Sequence, residues 1–413
     1  MPSPLADRPR AARRLLVFEP DVEGHSQEWL QHLADHVAAD PRAPALSILA
    51  PARLCEALAR THPTVSPHRV AYIALSEAES RACGRRPLSL AAFARWWVMR
   101  RHMRQSGADL GFFLSLDLLT LPLALQLGAR GRPLAGILFR PSVHYATLGN
   151  YRPALGERLR DLRKDVLYRL ALSNPATRSM LSLDPFFPFH ARHHYRGGRK
   201  VQALPDPAHP ATPDGTHAPA EAVPTGRLSF LLFGYLTERK GPLVVLDALA
   251  RLPDTVASRI AVLFAGRIDP AIRDEIERRS GALASDKPDL WLRIDDRRLD
   301  QGELDDLVGR SDVVLAPYQR FVGSSGVLLW AARAGRPVLA QDYGLVGRLT
   351  RDHRLGATAD SSDPDKLARA IERMVEQGPE SFFDRPSARR FVEARTPRHF
   401  AEQVLGCVGQ IPA

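Results

Sequence analysis

Short apolar runs alternate with helical stretches along the second half of the chain, and this alternation limits the possible folds more than any other feature. The runs are typical of buried parallel strands, and the stretches between them are long enough for crossover helices. The strand-like runs cover residues 228–233, 260–265, 290–294, 312–315 and 338–340, with helical patterns over 243–252, 270–279, 301–308 and 325–334. This order predicts right-handed βαβ units and a doubly wound parallel sheet.

The first half shows a similar alternation. Strand-like runs cover residues 14–18, 45–49, 70–74, 111–116 and 136–139, and a helix is predicted to run to about residue 38. A chain of 413 residues is long for one core, so we expect two domains. The expected divisions are an N-terminal Rossmann-like domain (1–205), a Pro/Ala/Thr-rich linker (206–226), a C-terminal Rossmann-like domain (227–396) and a final helix (397–413) that could pack back on the first domain.

The charge and the cysteines restrict partners and compartment. A net charge of +11 suits phosphate-bearing small molecules, anionic membranes or nucleic acid, and it selects none of them. We find no nucleic-acid-binding module, so no nucleic-acid partner is expected. Three widely separated cysteines favour a reducing compartment. The sequence therefore predicts a cytoplasmic protein and leaves open a peripheral contact with the inner membrane face.

Two turns of the second half could bind phosphate. Ser324, Ser325, Gly326 and Val327 form a turn at the start of the helical stretch 325–334, and such a turn offers backbone N–H groups and hydroxyls to an anion. The other turn follows the strand 228–233 and contains Gly234, Arg239 and Lys240. Either turn alone is weak evidence, since a lysine before a helix is usually solvated. Together they follow two strands of one predicted sheet, and we predict that they converge on one diphosphate.

These residues resemble the retaining glycosyltransferases of the GT-B fold, in the large group 4 that uses nucleotide-sugar donors. Gly234-Tyr-Leu236 followed by Lys240-Gly241 is similar to the motif that opens the C-terminal domain of that group, and the stretch 311–338 matches its downstream pattern. The resemblance covers about residues 228–376. It implies two Rossmann-like domains facing each other across a cleft, a nucleoside-diphosphate sugar as co-substrate, no cofactor and no metal. It also implies that Lys240 holds the donor diphosphate.

The chain departs from that group at two glutamates that lie eight positions apart around the second turn. Those places carry Val322 and Trp330, which cannot accept a hydrogen bond as a carboxylate does. The sugar or ribose must then be held otherwise, the donor is unusual, or the site is inactive. A tryptophan on an apolar helix is more often a core residue than a stacking platform, and we expect this for Trp330.

In the first half, the resemblance places donor and acceptor near a glycine loop after the first strand, where Gly24 and His25 stand. Arg140 occupies roughly the strand end where the group often has a catalytic-site histidine, and Asp117 ends the preceding strand. A cation there could stabilise the departing diphosphate. We therefore predict His25, Asp117 and Arg140 as catalytic residues and Gly24 as a donor-binding residue. His144 lies just beyond, where a loop histidine is more often a surface residue.

Three other segments have simpler interpretations. His190 and His194 have the i, i+4 spacing of a zinc site but no nearby carboxylate or cysteine, so no metal is predicted. The stretches 89–104 and 157–172 combine arginines with apolar residues. Such helices can lie in a membrane interface, although burial of their aromatic residues in the domain is the favoured interpretation.

The sequence thus favours a bacterial-type glycosyltransferase that moves a sugar, with retention, to a polysaccharide, a lipid intermediate or a small molecule. The alternative is a non-catalytic GT-B-like protein that binds a nucleotide or a partner, which the residues Val322 and Trp330 support.

Overall fold

The computed structural model describes residues 13–22, 26–61, 65–149, 153–208 and 224–409. The chain forms two compact units. The N-terminal unit comprises residues 1–141, 158–207 and 397–413, and the C-terminal unit comprises residues 142–157 and 208–396. The expected domains differ from these units in the segment 142–157, which packs with the C-terminal unit. A Cβ at Gly149 would lie 2.8 Å from the Asp342 carbonyl oxygen, and Glu157 pairs with Arg320 at 3.2 Å.

The N-terminal unit is built on a seven-stranded sheet in the order β3-β2-β1-β4-β5-β6-β7, in which all paired strands are parallel. Its strands are β1 Arg14–Phe18, β2 Ala45–Pro51, β3 Val70–Leu75, β4 Leu110–Phe113, β5 Leu134–Leu138, β6 Thr177–Ser182 and β7 Val201–Ala203. The first seven helices are α1 Ser26–Ala39, α2 Ala52–Thr61, α3 Glu77–Cys83, α4 Leu88–Ser106, α5 Thr120–Ala124, α6 Leu155–Ser173 and α7 Phe187–His194.

The C-terminal unit is built on a six-stranded parallel sheet in the order β10-β9-β8-β11-β12-β13. Its strands are β8 Leu228–Phe233, β9 Ile260–Ala265, β10 Trp291–Asp295, β11 Val313–Ala316, β12 Val338–Gln341 and β13 Gly356–Ala359. Its helices are α8 Pro242–Ala250, α9 Asp254–Ala257, α10 Arg273–Asp286, α11 Gln301–Arg310, α12 Val327–Arg333, α13 Gly344–Asp352, α14 Pro364–Gln377 and α15 Arg385–Glu393.

The last helix, α16 Pro397–Gly409, belongs to the N-terminal unit. Trp29 of α1 is fully buried there, with its ring 5.0 Å from that of Phe400 and 5.3 Å from that of Phe139. The contact of these three large rings at one point explains why the final helix packs on this core. No helix in the described part of the chain is both long enough and apolar enough to cross a membrane.

Strand order positions the predicted phosphate-binding turns. The chain passes outward from β8 through β9 to β10, and then returns to the other side of β8 with β11. The carboxyl ends of β8 and β11 therefore form the topological switch point of the sheet, which is where open α/β sheets bind ligands.

Candidate functional site

Two loops at this switch point pack directly against each other. One follows β8 and ends at Gly241, and the other is the loop 317–326 that follows β11. The backbone N–H of Gln319 donates to the Arg239 carbonyl at 2.8 Å. Gly241 has a φ of 81°, and a Cβ there would lie 2.3 Å from the Pro317 carbonyl oxygen. Only glycine permits both this backbone conformation and this close approach.

Lys240 is held at the carboxyl end of β8 by aromatic rings and one carbonyl. Its ammonium group donates to the Phe233 carbonyl at 3.0 Å. The same nitrogen lies 5.7 Å from the centre of the Phe233 ring and 5.4 Å from that of Tyr318. Gly234 leaves room for it, because a Cβ there would lie 3.1 Å from the Lys240 nitrogen. Among the residues that the structure describes, no carboxylate pairs with Lys240, so its charge is available to an anion.

The turn that contains Ser324 and Ser325 is connected to the Lys240 site by Tyr318. The hydroxyl groups of Tyr318 and Ser325 are 2.5 Å apart, and Ser325 Oγ also accepts the Val327 N–H at 3.3 Å. Ser324 is half-buried, and the described part of the chain offers its hydroxyl no hydrogen-bond partner. Since Tyr318 contacts both Lys240 and Ser325, the two predicted turns lie at one site.

The chain enters that site through a loop. The strand was expected to end at residue 315 and the helix to begin at residue 325. In the structure β11 ends at Ala316, and the ten-residue loop 317–326 precedes α12. The backbone at Tyr318 is fixed because its carbonyl accepts hydrogen bonds from Tyr343 at 2.7 Å and from Ser361 at 2.9 Å. Sequence reasoning missed Tyr318, Tyr343 and Ser361, and an aromatic residue directly after Pro317 was the available signal.

The remaining residues predicted to bind the donor are Arg239, Gly326 and Val327. The guanidinium of Arg239 lies 4.8 Å from the centre of the Phe321 ring, on an exposed side chain. Gly326 is the residue before α12, and Val327 begins that helix. Arg239 therefore contacts the loop 317–326 through Phe321, whereas Lys240 contacts it through Tyr318.

The two positions that lack glutamate are filled by apolar contacts. Trp330 is 8% exposed, and its ring meets that of Phe233 edge-on at 6.1 Å. The Arg333 guanidinium lies 4.8 Å from the centre of the Trp330 ring. Val322 is half-buried, and its carbonyl accepts the Leu345 N–H at 2.9 Å. Trp330 is thus a core residue, as its helix pattern predicts.

In the N-terminal unit, Asp117 and Arg140 come together through the backbone. The Asp117 carboxylate accepts the N–H of Phe139 at 2.9 Å and that of Arg140 at 3.4 Å. Lys164 donates to the Arg140 carbonyl at 3.0 Å. Burial raises the pKa of Asp117, and the Phe139 N–H and the Lys164 charge oppose this shift. Asp117 therefore fixes the end of β5, and the exposed Arg140 follows it.

The remaining histidine and glycine candidates lie elsewhere. Gly24 and His25 fall outside the described residues. His144 is buried in the C-terminal unit beside Tyr145, with 4.9 Å between ring centres. The His190 ring stacks on that of His194 at 4.1 Å. Within the described ranges, no group of three or more His, Cys, Asp or Glu side chains could hold a metal ion.

Sequence reasoning also missed Glu19, which directly follows β1. Glu19 is 3% exposed, and its carboxylate accepts the Asp21 N–H at 2.8 Å. Burial raises the pKa of Glu19 to about 7, against smaller opposing contributions from the Asp21 N–H, Arg95 and Ser26. Asp21 in turn makes two 2.9 Å hydrogen bonds with Arg95. A carboxylate placed directly after a buried strand was the signal for this residue.

A protein-family model matches most of the C-terminal unit. Residues 227–377 match the model of the family described as Glycosyl transferases group 1. The match runs from β8 to the end of α14 and includes both loops of the site. No curated protein is similar enough in sequence to count as a relative.

Solved structures with similar folds cover nearly the whole chain. A glycosyltransferase from Rickettsia africae aligns with a TM-score of 0.65 at 13% identity, over 97% of this chain and 98% of that one. HepE from Anabaena in complex with UDP aligns with a TM-score of 0.61 at 14% identity, over 97% and 100%. Sucrose-phosphate synthase from Thermosynechococcus elongatus aligns with a TM-score of 0.64 at 17% identity, over 95% and 97%. These matches confirm the predicted GT-B fold of two Rossmann-like parallel-sheet domains.

Proposed function

We propose that this protein, whose residues 227–377 belong to the group 1 glycosyl transferases, moves a sugar with retention from a nucleoside-diphosphate sugar to an acceptor. The observation that carries the proposal is the position of Lys240. Its ammonium group lies at the switch point of the sheet, over the rings of Phe233 and Tyr318. A cation that is positioned there without a carboxylate partner favours a diphosphate.

The donor side would work by stabilising the leaving group. As the bond between the anomeric carbon and the diphosphate oxygen breaks, negative charge grows on that oxygen. Lys240 would supply the positive charge, and the Ser324 hydroxyl and the Ser325 turn would supply hydrogen bonds. Groups that are positioned before the reaction stabilise developing charge without further reorganisation. With a lysine in this role, the step needs neither a metal nor another cofactor.

We assign the acceptor side to the N-terminal unit. Asp117 lies four residues after β4, and Arg140 lies two residues after the neighbouring strand β5. Gly24 and His25 follow β1 in the sequence. His25, Asp117 and Arg140 would position the acceptor, and Gly24 would contact the donor. The acceptor hydroxyl oxygen bonds to the anomeric carbon on the face that the diphosphate leaves, and its proton passes to the departing diphosphate oxygen. We propose a bacterial polysaccharide or lipid intermediate as acceptor, with a small molecule as the other option. HepE is a neighbour that binds UDP, and UDP-sugars are therefore the first donors to test.

We also propose a cytoplasmic location on the inner membrane face. Cys55, Cys83 and Cys407 are all free and buried, which fits a reducing compartment.

A second candidate function is nucleotide or partner binding without catalysis. It is favoured by Val322 and Trp330, which replace the two carboxylates, and by the burial of Trp330. In this alternative the protein would bind a nucleoside diphosphate and leave it unchanged.

One pair of assays distinguishes the two functions. The purified full chain is incubated with a panel of nucleoside-diphosphate sugars, and release of the nucleoside diphosphate is followed with and without sugar acceptors. Isothermal titration calorimetry measures nucleotide affinity in parallel. Transfer or slow hydrolysis of any donor supports the enzyme, whereas tight binding with no turnover supports the alternative.

The site itself is tested with Lys240→Ala. Loss of a charge-assisted contact is expected to weaken donor binding by about tenfold to a hundredfold. Lys287→Ala is the matched control, because Lys287 belongs to the same unit and pairs with Asp254 at 2.7 Å. Equal donor affinity in both variants would refute the assignment of Lys240.

A further inference from the structure

Helix α6 exposes a row of aliphatic side chains. The row consists of Leu159, Leu162, Val166 and Leu170, which are 69%, 62%, 46% and 43% exposed. Their spacing of three and four residues places them on one face of the helix. The rotation of the helix is fixed, because Tyr168 is buried on another face. The packing of α6 on the N-terminal unit therefore keeps this row on the surface.

Arginines border this row. Arg163 lies four residues after Leu159, and Arg158 lies four residues before Leu162. Residues four apart are neighbours on a helix surface, so the positive charges lie beside the apolar side chains. Long arginine side chains can lie along an apolar surface while their charged ends stay in water. Helices of this kind lie in the plane of a membrane interface.

A basic cavity adjoins the C-terminal end of the row. Its volume is about 620 Å³, and its lining includes Trp96, Trp97, Arg100, Arg104, Gln126 and Arg130. Gln126 connects the cavity to α6, because its side-chain amide donates to the Leu170 carbonyl at 3.0 Å and to Ser173 Oγ at 3.3 Å. Trp97 and Leu125 beside it are 54% and 57% exposed. The aliphatic row, the exposed tryptophan and the cavity thus form one continuous surface of the N-terminal unit.

The cavity has positive charge that nothing in the described chain neutralises. Arg104 and Arg130 are exposed, and neither pairs with a carboxylate among the described residues. Arg100 is turned inward, donating to the Arg132 and Gly128 carbonyls at 2.5 and 3.1 Å. Burial lowers the pKa of Arg100, and the charges of Arg104 and Arg132 lower it further.

Trp96, which lines this cavity, also has a buried hydrogen-bond donor. The indole nitrogen of Trp96 is buried, and it has no hydrogen-bond partner in the part of the chain that the structure describes. Unneutralised arginines beside a spare N–H group would be stabilised by an anion.

We propose that this surface docks the protein on a membrane of anionic phospholipids, with the α6 row in the interface and a lipid phosphate in the cavity. A second copy of the chain is a poorer occupant, because the same arginine-bordered row on both copies would bring like charges together. Nucleic acid is also a poorer occupant, because an aliphatic row gives nothing to a phosphate backbone. The inference deepens the proposed location on the membrane face by naming the surface that docks. It does not depend on the proposed sugar transfer, since it concerns only the N-terminal unit.

Vesicle flotation with the full chain tests the proposal. The vesicles contain phosphatidylcholine alone or phosphatidylcholine with one-third phosphatidylglycerol, at physiological ionic strength. Wild type is expected to float with the anionic vesicles and to stay in solution with the neutral ones. Leu162→Asp/Val166→Asp is expected to weaken binding to anionic vesicles by about tenfold or more.

The cavity is tested with Arg104→Glu/Arg130→Glu, which is also expected to weaken binding by about tenfold or more. Arg369→Glu/Arg390→Glu is the matched control, because these arginines are exposed on the C-terminal unit and give the same change in net charge. The control is expected to change binding by less than about twofold. Circular dichroism and melting temperature verify that each variant is folded.

Three results would overturn the proposal. In the first, wild type fails to float with either kind of vesicle. In the second, the cavity variant binds as well as the control, so that only overall charge matters. In the third, wild type is a dimer that Leu162→Asp/Val166→Asp dissociates without any vesicle binding, which would make the row an interface between copies of the chain.

Discussion

Replacing Glu19 by glutamine is expected to make the N-terminal unit less sensitive to rising pH. Glu19 is 3% exposed, and burial raises the pKa of its carboxyl group from 4.5 to about 7. In the unfolded chain the same group has its ordinary pKa. Between these two values the folded protein holds a proton that the unfolded chain has released. The free energy of unfolding therefore falls as the pH rises through this interval, and it levels off above the folded-state pKa.

The expected size follows from the two pKa values. Each unit of difference between the folded-state and unfolded-state pKa corresponds to about 1.4 kcal/mol in the free energy of unfolding. Between about pH 5 and about pH 8, the free energy of unfolding of the wild type should fall by about 2.5 kcal/mol because of Glu19 alone. The glutamine variant should not show this fall. Glutamine is nearly the same size and keeps an oxygen that can accept the Asp21 N–H. The variant thus removes the titration with little change in packing.

The assay is urea denaturation at both pH values, read by pulsed hydrogen exchange and mass spectrometry of the peptide that contains β1. This readout measures the stability of the N-terminal unit separately from that of the C-terminal unit. Comparing variant with wild type at each pH cancels every titrating group that the two proteins share. The reasoning is refuted if the stability difference between them is the same at both pH values, or if wild type gains stability relative to the variant as the pH rises.

Two further predictions concern the donor site. Gly241→Ala is expected to destabilise the C-terminal unit by more than about 1 kcal/mol, because the residue has φ of 81° and faces the Pro317 carbonyl. Its control, Gly281→Ala, has open space in α10 and should add about 0.5–1 kcal/mol of stability. Thermal denaturation measures the stability change in each variant. Similar changes in the two variants would contradict the close packing of the two loops at Gly241. Tyr318→Phe removes the hydrogen bond to Ser325 and should weaken nucleoside-diphosphate binding by about three- to tenfold. Unchanged calorimetric affinity would show that Tyr318 does not position the turn.

The sequence predicts most strands of both sheets because they are continuous apolar runs. β8 and β9 are entirely as expected, at Leu228–Phe233 and Ile260–Ala265. β6, β7 and β13 were not predicted. Thr177–Ser182 mixes polar with apolar residues, Val201–Ala203 is only three residues long, and Gly356–Ala359 consists of small residues. These segments form strands because neighbouring strands pair with them, which is a tertiary effect that local patterns do not contain.

The donor site is predictable only in part. Lys240 and Ser325 follow strands of one sheet, and this topology places both turns at one edge. The part played by Tyr318 depends on the path of a ten-residue loop, and loop paths follow from tertiary contacts. The same holds for the α6 row. The spacing of its apolar residues is that of a core-facing helix. In the structure this face is exposed, with Leu159 69% accessible to solvent, and the sequence alone does not show this.

A crystal structure of the full chain with UDP would show whether Lys240 binds the diphosphate. We expect the Lys240 ammonium to lie about 2.7–3.2 Å from a diphosphate oxygen, with its bond to the Phe233 carbonyl lost or kept alongside, and Ser324 Oγ to lie beside the same group. A diphosphate bound elsewhere, with Lys240 still bonded only to Phe233, would refute the assignment of this site.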